Sequence, residues 1–90
     1  MTRTPDARRR ELLIESGRLL YGDQWQRAIA RGLGPLHPDG ERESIDDRLV
    51  RRWAAGERDV PDWVLPAVVE IAEARRGQLG LLVTMLRRTK

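Results

Sequence analysis

The apolar residues of this chain recur at helical spacing, and no segment shows the two-residue alternation of a β-strand. The first predicted helix covers residues 5–20, with Thr4 as its N-terminal cap and Pro5 in its first turn. Gly17 weakens the middle of this helix, and Gly22 ends it. The apolar face of the helix consists of Leu12, Leu13, Leu19 and Leu20.

The second predicted helix covers residues 24–33, with Asp23 as its N-terminal cap. The pair Gly34-Pro35 ends it. Its inward-facing residues are Trp25, Ile29, Ala30 and Leu33. Residues 35–44, PLHPDGERES, contain two prolines, a glycine and a run of charges, and this composition predicts a loop.

The third predicted helix follows the loop, begins at a cap formed by Ser44 or Asp46, and ends at Gly56. Its apolar residues are Ile45, Leu49, Val50 and Trp53. The three tryptophans, including Trp63, have the spacing of core residues rather than of exposed rings that stack on bases.

The last predicted helix covers about residues 61–88. Pro66 would interrupt a helix that began at Pro61, so its first turn is expected to be separate or 3₁₀. Gly77 and Gly80 are candidate positions for a second break. The predicted fold class is therefore all-α, with four to five helices in a single domain over residues 1–90.

The composition favours a globular protein. Hydrophobic residues make up 40% of the chain and charged residues 34%. No apolar run approaches the roughly 18 residues needed to span a bilayer, and the N-terminal residues lack the apolar stretch of a secretory signal. We therefore expect a cytoplasmic protein with no membrane partner.

Few residues offer chemistry for catalysis. The chain has no cysteine and one histidine, His37, so disulfides, thiolate chemistry and multi-histidine metal sites are excluded. A cluster of carboxylates lacks a histidine partner and defines neither a metal site nor an acid/base pair. Its members are Glu41, Glu43, Asp46 and Asp47. We expect no enzyme activity, no cofactor, no metal and no small-molecule ligand.

The charge balance is modestly basic, with a net charge of +3 and a sequence pI of about 10.5. Sixteen of the 17 basic residues are arginine. Arginine suits forked contacts to phosphates and guanine edges, although a codon preference for arginine over lysine would produce the same count. The balance is compatible with a polyanionic partner but does not by itself establish one.

Residues 20–63 resemble the helix-turn-helix of the lambda-repressor-like (Xre/Cro-type) DNA-binding family. The closest pattern is that of its small bacterial and phage subgroup, roughly LYGxxWQxxLARxLGVSxRTVRRWxxGxxxVP. The matching residues are Leu20-Tyr21-Gly22, Trp25-Gln26, Ala30-Arg31, Leu33-Gly34, Val50-Arg51-Arg52-Trp53, Gly56 and Val60-Pro61. The core of the motif would span residues 23–58.

The chain departs from that pattern in two places. The family runs from LG directly into VSxRTV, whereas here about ten extra residues, the loop 35–44, extend the turn. The extension would loop out into solvent, or contact DNA or a partner. Leu49 stands where the family has a small polar residue, and it would pack inward or contact a thymine methyl group.

The resemblance implies a role for individual residues. Asp46 would cap the recognition helix. The residues placed to contact DNA bases are Asp47, Arg48 and Arg52, and those placed to contact phosphates are Gln26, Arg51 and Arg58. Asp47 would alternatively orient Arg48 or Arg51. The three arginines of this helix would otherwise be an ordinary solvated face, and the run Arg8-Arg9-Arg10 is either a phosphate-binding arm or a solvated face.

The function implied is sequence-specific binding of double-stranded DNA by a transcriptional regulator, an autoregulating repressor of a small phage or bacterial operon. A homodimer is expected, since such proteins commonly bind two half-sites. The apolar C-terminal helix would form the dimer or close the monomer's own core. The alternative is a protein-interaction module, such as a phage inhibitor of a host nucleic-acid-processing complex, that binds an acidic protein through the arginines or the loop 35–44.

Overall fold

The computed structural model describes residues 5–89, and all regular structure in that range is helical, as predicted. The α-helices are α1 (Pro5–Tyr21), α2 (Trp25–Leu33), α3 (Asp47–Ala55) and α4 (Val64–Arg88). Two short 3₁₀ turns, Gly22–Gln24 and Gly34–Leu36, follow α1 and α2. The predicted cap Thr4 lies outside the described residues.

The ends of α1 and α3 follow from two glycines in the left-handed region. Gly22 has φ 80° and Gly56 has φ 79°, a conformation that other residues adopt only at a cost. Both glycines end their helices where the sequence predicts. The predicted cap of α2 is wrong, because Gly22–Gln24 forms a 3₁₀ turn that contains Asp23, and α2 begins at Trp25 without a side-chain cap.

A single hydrophobic core joins the helices. Its buried residues are Leu13, Trp25, Ile29, Ala30, Leu33, Ile45, Val50, Trp53, Val60, Val64, Ala67 and Val68. Trp63 is partly buried against this core. Leu19, predicted to face inward, is instead 88% exposed, because α1 turns the face that carries Leu13 and Gly17 toward α2.

The last helix is continuous, and the predicted breaks at Gly77 and Gly80 are wrong. A glycine inside a helix costs only about 1 kcal/mol relative to alanine, less than breaking the helix. Pro66 lies in the first turn of α4, where a missing N–H leaves no hydrogen bond unmade. No helix among residues 5–89 is long and apolar enough to cross a membrane.

Candidate nucleic-acid interface

The N-terminus of α3 is capped by Asp46. Its backbone is extended, and its side-chain Oδ1 accepts a hydrogen bond from the Arg48 N–H at 3.0 Å. Of the two predicted caps, Asp46 is therefore the one used, and the Ser44 hydroxyl donates instead to the Ile45 carbonyl at 2.8 Å. The cap determines where α3 starts and hence which side chains face outward.

The inner face of α3 is held by buried side chains. Val50 and Trp53 are almost completely buried. Leu49 is partly buried and packs against the same core, so of the two roles open to it from the sequence it takes the inward one. At the C-terminus the Gly56 N–H donates to the carbonyls of Arg52 and Trp53, which ends the helix.

The segment between α2 and α3 is tied back to α2. The Ala30 carbonyl accepts hydrogen bonds from the Gly34 N–H and, at 3.0 Å, from the Ile45 N–H. The Gly34 carbonyl accepts from His37 N–H at 3.2 Å and Arg42 N–H at 3.0 Å. The extended turn thus closes on itself at the end of α2, and α3 begins beside the last turn of α2.

His37 joins this loop to the segment before α4. Its ring lies 5.0 Å from the ring of Trp63, measured between centroids. Its Nδ1 accepts a hydrogen bond from the Asp39 N–H at 3.1 Å. The remaining residues of the loop, 38–44, are exposed. No group of three or more His, Cys, Asp or Glu side chains within residues 5–89 is placed to hold a metal ion.

The outer face of α3 carries three exposed arginines, Arg48, Arg51 and Arg52. Arg51 Nη2 lies 3.3 Å from Asp47 Oδ2, one helical turn away. Asp47 therefore pairs with Arg51, not with Arg48. Within residues 5–89 the guanidinium groups of Arg48 and Arg52 make no hydrogen bond or ion pair, so both are available to an outside partner.

The predicted phosphate contacts lie on three different elements. Gln26 is half-buried in the first turn of α2, and Arg51 is exposed on α3. Arg58 is exposed in the turn after α3, where its N–H donates to the Arg52 carbonyl at 3.4 Å. The structure brings Arg58 to the C-terminal end of α3, whereas Gln26 is held by a separate helix.

Arg9, in the middle of the run Arg8-Arg9-Arg10, is engaged within the molecule. Arg9 Nη2 lies 2.7 Å from Asp62 Oδ1, and Arg9 Nη1 donates to the Val60 carbonyl at 3.4 Å. In the same turn of α1, Asp6 Oδ1 accepts a hydrogen bond from the Val60 N–H at 2.9 Å. These contacts hold the segment between α3 and α4 against α1, which is a structural role that the sequence did not reveal.

Arg10, in the run for which the sequence leaves a phosphate-binding arm and a solvated face both open, lies near the end of α3. Its Nη1 lies 2.5 Å from the position that a Cβ on Gly56 would occupy. An arginine of α1 therefore adds positive charge at the C-terminal end of α3, where Arg52 and Arg58 also lie. Its proximity depends on a contact over more than forty positions of the sequence, and no local pattern encodes it.

The opposite end of α3 is acidic. Asp46 and Asp47 occupy the cap and the first turn, and Glu41 and Glu43 are exposed in the preceding loop. The helix thus presents carboxylates at its start and guanidinium groups along and beyond its middle. Such an arrangement combines hydrogen-bond donors for guanine edges and phosphates with acceptors for cytosine.

Comparison of the chain with protein families, curated proteins and solved structures finds no match. What α3 binds is therefore inferred from its own side chains and from the elements that hold it.

Proposed function

We propose that the protein is a helix-turn-helix transcriptional regulator of the lambda-repressor-like type, which reads double-stranded DNA with α3. The observation that carries the proposal is the pair Arg48 and Arg52. Both guanidinium groups are exposed and without an internal partner among residues 5–89. They stand one turn apart on a helix whose other face is buried in the core.

The spacing of the two arginines suits base recognition. Residues i and i+4 of a helix lie on the same side, roughly 6 Å apart. A B-DNA major groove is wide enough to admit an α-helix, and arginine binds the O6 and N7 atoms of guanine with two hydrogen bonds. Arg48 and Arg52 would each read a guanine, and neighbouring base pairs are reached from successive turns.

Asp47 has two roles open in such a complex. Its ion pair with Arg51 supports the role of orienting Arg51 toward a phosphate. Base contact with cytosine N4 would require Asp47 to leave that pair, which costs little because Arg51 is exposed and Asp47 is partly exposed to solvent. Gln26, Arg51 and Arg58 are the proposed phosphate contacts, and they would add affinity and salt dependence rather than sequence preference.

The extended turn is compatible with this function. The hydrogen bond from Ile45 N–H to the Ala30 carbonyl fixes the start of α3 on α2. Because the ten extra residues close on Gly34, they do not lengthen the path between the two helices. The proposal therefore needs no rearrangement of the turn on binding.

The biological role proposed is that of an autoregulating repressor of a small phage or bacterial operon, acting as a homodimer on two half-sites. Symmetric dimers bind half-sites one helical turn or a multiple of it apart. An operator upstream of the protein's own gene would thus contain a pseudo-palindrome.

The test is binding to the DNA upstream of the protein's own gene, against random DNA of equal length, at about 50 and about 200 mM salt. We expect tighter binding to the upstream DNA at both salt concentrations. Equal and strongly salt-dependent binding to the two DNAs would overturn the proposal and favour the alternative, an acidic protein partner bound by the same arginines.

A matched pair of variants sharpens this test. Arg48→Ala removes an exposed arginine from α3, whereas Arg18→Ala removes an exposed arginine from α1 with the same change in net charge. We expect Arg48→Ala to abolish most of the preference for the upstream DNA and Arg18→Ala to leave it intact. Equal effects of the two variants would mean that only net charge matters.

A further inference from the structure

The C-terminal half of α4 leaves the body of the protein. Every residue from 76 to 89, here called the α4 tail, is exposed. A Cβ added at Gly77 or Gly80 would meet nothing within 4 Å. Six large apolar side chains of the tail are between 44% and 69% exposed: Leu79, Leu81, Leu82, Val83, Met85 and Leu86. An apolar segment of this kind on a soluble protein marks an interaction surface.

Half of these apolar side chains, Leu79, Val83 and Leu86, lie along one side of α4. The residues at alternating intervals of four and three positions form a single row, here called the α4 stripe: Leu65, Val69, Ala72, Arg76, Leu79, Val83 and Leu86. This average spacing of 3.5 residues is the repeat with which two helices pack along their length. Arg76 is the one charged member, and its Nη2 lies 2.9 Å from Glu73 Oε2, so its charge is balanced within the chain.

A groove accompanies the N-terminal half of the stripe. It lies between α1 and α4, has a volume of about 220 Å³, and is lined by Leu12, Ser16, Leu65, Val68, Val69 and Ala72. The groove is almost entirely apolar. The stripe residues of the tail are Leu79, Val83 and Leu86. They cannot fill the groove of their own chain, because they lie farther along the same continuous helix.

The charges of the two halves are complementary. After Glu73 the chain carries five basic residues and no acidic one, which leaves residues 1–73 with twelve basic and fourteen acidic residues. A basic tail is therefore attracted to the body of a second copy and repelled by a second tail.

We propose that two copies of the chain pair through α4 in antiparallel orientation, with the tail of each copy packed in the α1–α4 groove of the other. In this register Leu86 of one copy lies opposite Val69 of the other, and Val83 lies opposite Ala72. The two-fold axis passes between Gly77 and Gln78, and the interface is isologous. The pairing specifies how the homodimer of the proposed function would form. It rests only on the homodimer part of that proposal and not on DNA recognition, since it uses no residue of α3.

The antiparallel orientation follows from the charges and the groove together. A parallel pair would bring Arg87 and Arg88 of the two copies side by side, and both grooves would stay empty. The antiparallel pair buries the stripe over roughly 26 Å of helix, given a rise of 1.5 Å per residue from residue 69 to residue 86. It also places the basic C-terminal ends against the acidic bodies.

Molar mass in solution, measured by light scattering and sedimentation, tests the pairing. The variant Val83→Glu puts a charge in the stripe, and the control Leu81→Glu makes the same kind of change at a more exposed residue about 200° around the helix from Val83. We expect a dimer for wild type and Leu81→Glu, and dimerisation at least about thirtyfold weaker for Val83→Glu. A monomeric wild type, or equal effects of the two substitutions, would overturn the proposal.

The orientation is tested by cysteine cross-linking, for which the cysteine-free chain is well suited. Copies with Val69→Cys mixed with copies carrying Leu86→Cys should form a mixed disulfide. Copies with Leu86→Cys alone should not, because their Cα atoms would be roughly 25 Å apart, far beyond the roughly 7 Å limit of a disulfide. A disulfide from Leu86→Cys alone would show a parallel pair and overturn the antiparallel one.

Measurements on the same proteins distinguish three further outcomes. A monomer that binds vesicles of phosphatidylcholine and phosphatidylglycerol through its tail would overturn the pairing in favour of a membrane surface. A dimer without preference for the upstream DNA would leave the pairing standing and remove the proposed function. A monomeric wild type that prefers that DNA would overturn the pairing and the homodimer, and would leave DNA recognition by α3 standing.

Discussion

The indole ring of Trp25, the first residue of α2, lies directly on the backbone of α1 at Gly17. A Cβ at residue 17 would come within 3.0 Å of three carbon atoms of that ring. Trp25 is itself 2% exposed, so its ring is packed on all sides and cannot shift away from α1. The glycine in the middle of α1 is therefore the contact that lets α1 and α2 approach each other.

We expect Gly17→Ala to destabilise the protein by about 1–2 kcal/mol. The overlap with the Trp25 ring costs about 2–3 kcal/mol, which exceeds the gain of about 1 kcal/mol from the higher helix propensity of alanine. The measurement is the free energy of unfolding from urea titration, followed by tryptophan fluorescence.

The control for this prediction is Gly77→Ala. It makes the same substitution in an exposed part of α4 where nothing lies within 4 Å of the new Cβ. Helix propensity then acts alone, and we expect stability to be unchanged or raised by up to about 1 kcal/mol. A stabilised Gly17→Ala would show that the Trp25 ring does not rest on α1 at this point.

The sequence predicts the helix ends that depend on a residue's own backbone. Gly22 and Gly56 end α1 and α3 because glycine enters the left-handed region without strain, and this property is local. Asp46 as a cap is local in the same sense. The role of Gly17 is not, since the sequence shows only that glycine weakens a helix, while its benefit comes from a ring eight positions later in another helix.

The candidate site likewise has features that the local sequence predicts and features that depend on the packing of whole helices. The spacing of Val50 and Trp53 predicts the buried face of α3, and hence that Arg48 and Arg52 point outward. The sequence spacing allows Asp47 to pair with Arg48 or with Arg51, and in the structure it pairs with Arg51. Neither the exposure of Leu19 nor the position of Arg10 beside Gly56 is predictable from periodicity, because each depends on how whole helices are oriented.

We expect Gly34→Ala to destabilise the protein by about 2 kcal/mol. The new Cβ would lie 2.6 Å from the Arg42 carbonyl oxygen and 2.7 Å from the Ser44 Cα and backbone nitrogen. Backbone atoms cannot move aside as side-chain ends do, so the loop must shift and the hydrogen bond from Arg42 N–H is weakened. Urea titration measures the loss.

Gly32→Ala, two residues earlier in α2, provides a comparison. Its new Cβ would meet only the end of the Ile71 side chain and the Tyr21 hydroxyl, at 3.0 and 3.1 Å. These atoms can move by a few tenths of an ångström, and we expect stability to change by less than about 1 kcal/mol. Equal losses for both variants would mean that the loop is not closed on Gly34.

Two substitutions of Asp46 distinguish its role as a helix cap from the effect of its negative charge. Asp46→Ala removes the acceptor of the Arg48 N–H, and we expect it to lower the free energy of unfolding by about 1 kcal/mol. Asp46→Asn keeps a capping oxygen and removes the negative charge, so stability should stay within about 0.5 kcal/mol of wild type. Thermal and urea unfolding of the two variants measure the difference, and a loss as large for asparagine as for alanine would contradict the capping role.

Asp46→Asn also has an expected effect on DNA binding. If α3 enters a groove, Asp46 adds a negative charge close to the phosphates. Asp46→Asn should therefore bind all DNA more tightly than wild type at low salt, and the difference should shrink as salt is raised. An unchanged affinity for Asp46→Asn at low salt would indicate that the start of α3 lies away from the DNA.

The arginines of the proposed interface should fall into two groups. Arg48→Ala and Arg52→Ala remove exposed guanidinium groups from the outer face of α3. Each should cost about 1–3 kcal/mol of discrimination, a loss of roughly 5- to 150-fold in preference, at its own guanine. Arg58→Ala should weaken binding to all sequences alike and reduce the slope of log affinity against log salt by about 1. The measurement is fluorescence anisotropy with the upstream DNA and a set of single-base variants of it at several salt concentrations. If all three variants change the salt slope alike and none changes the preference among the DNAs, α3 is a basic surface and does not read bases.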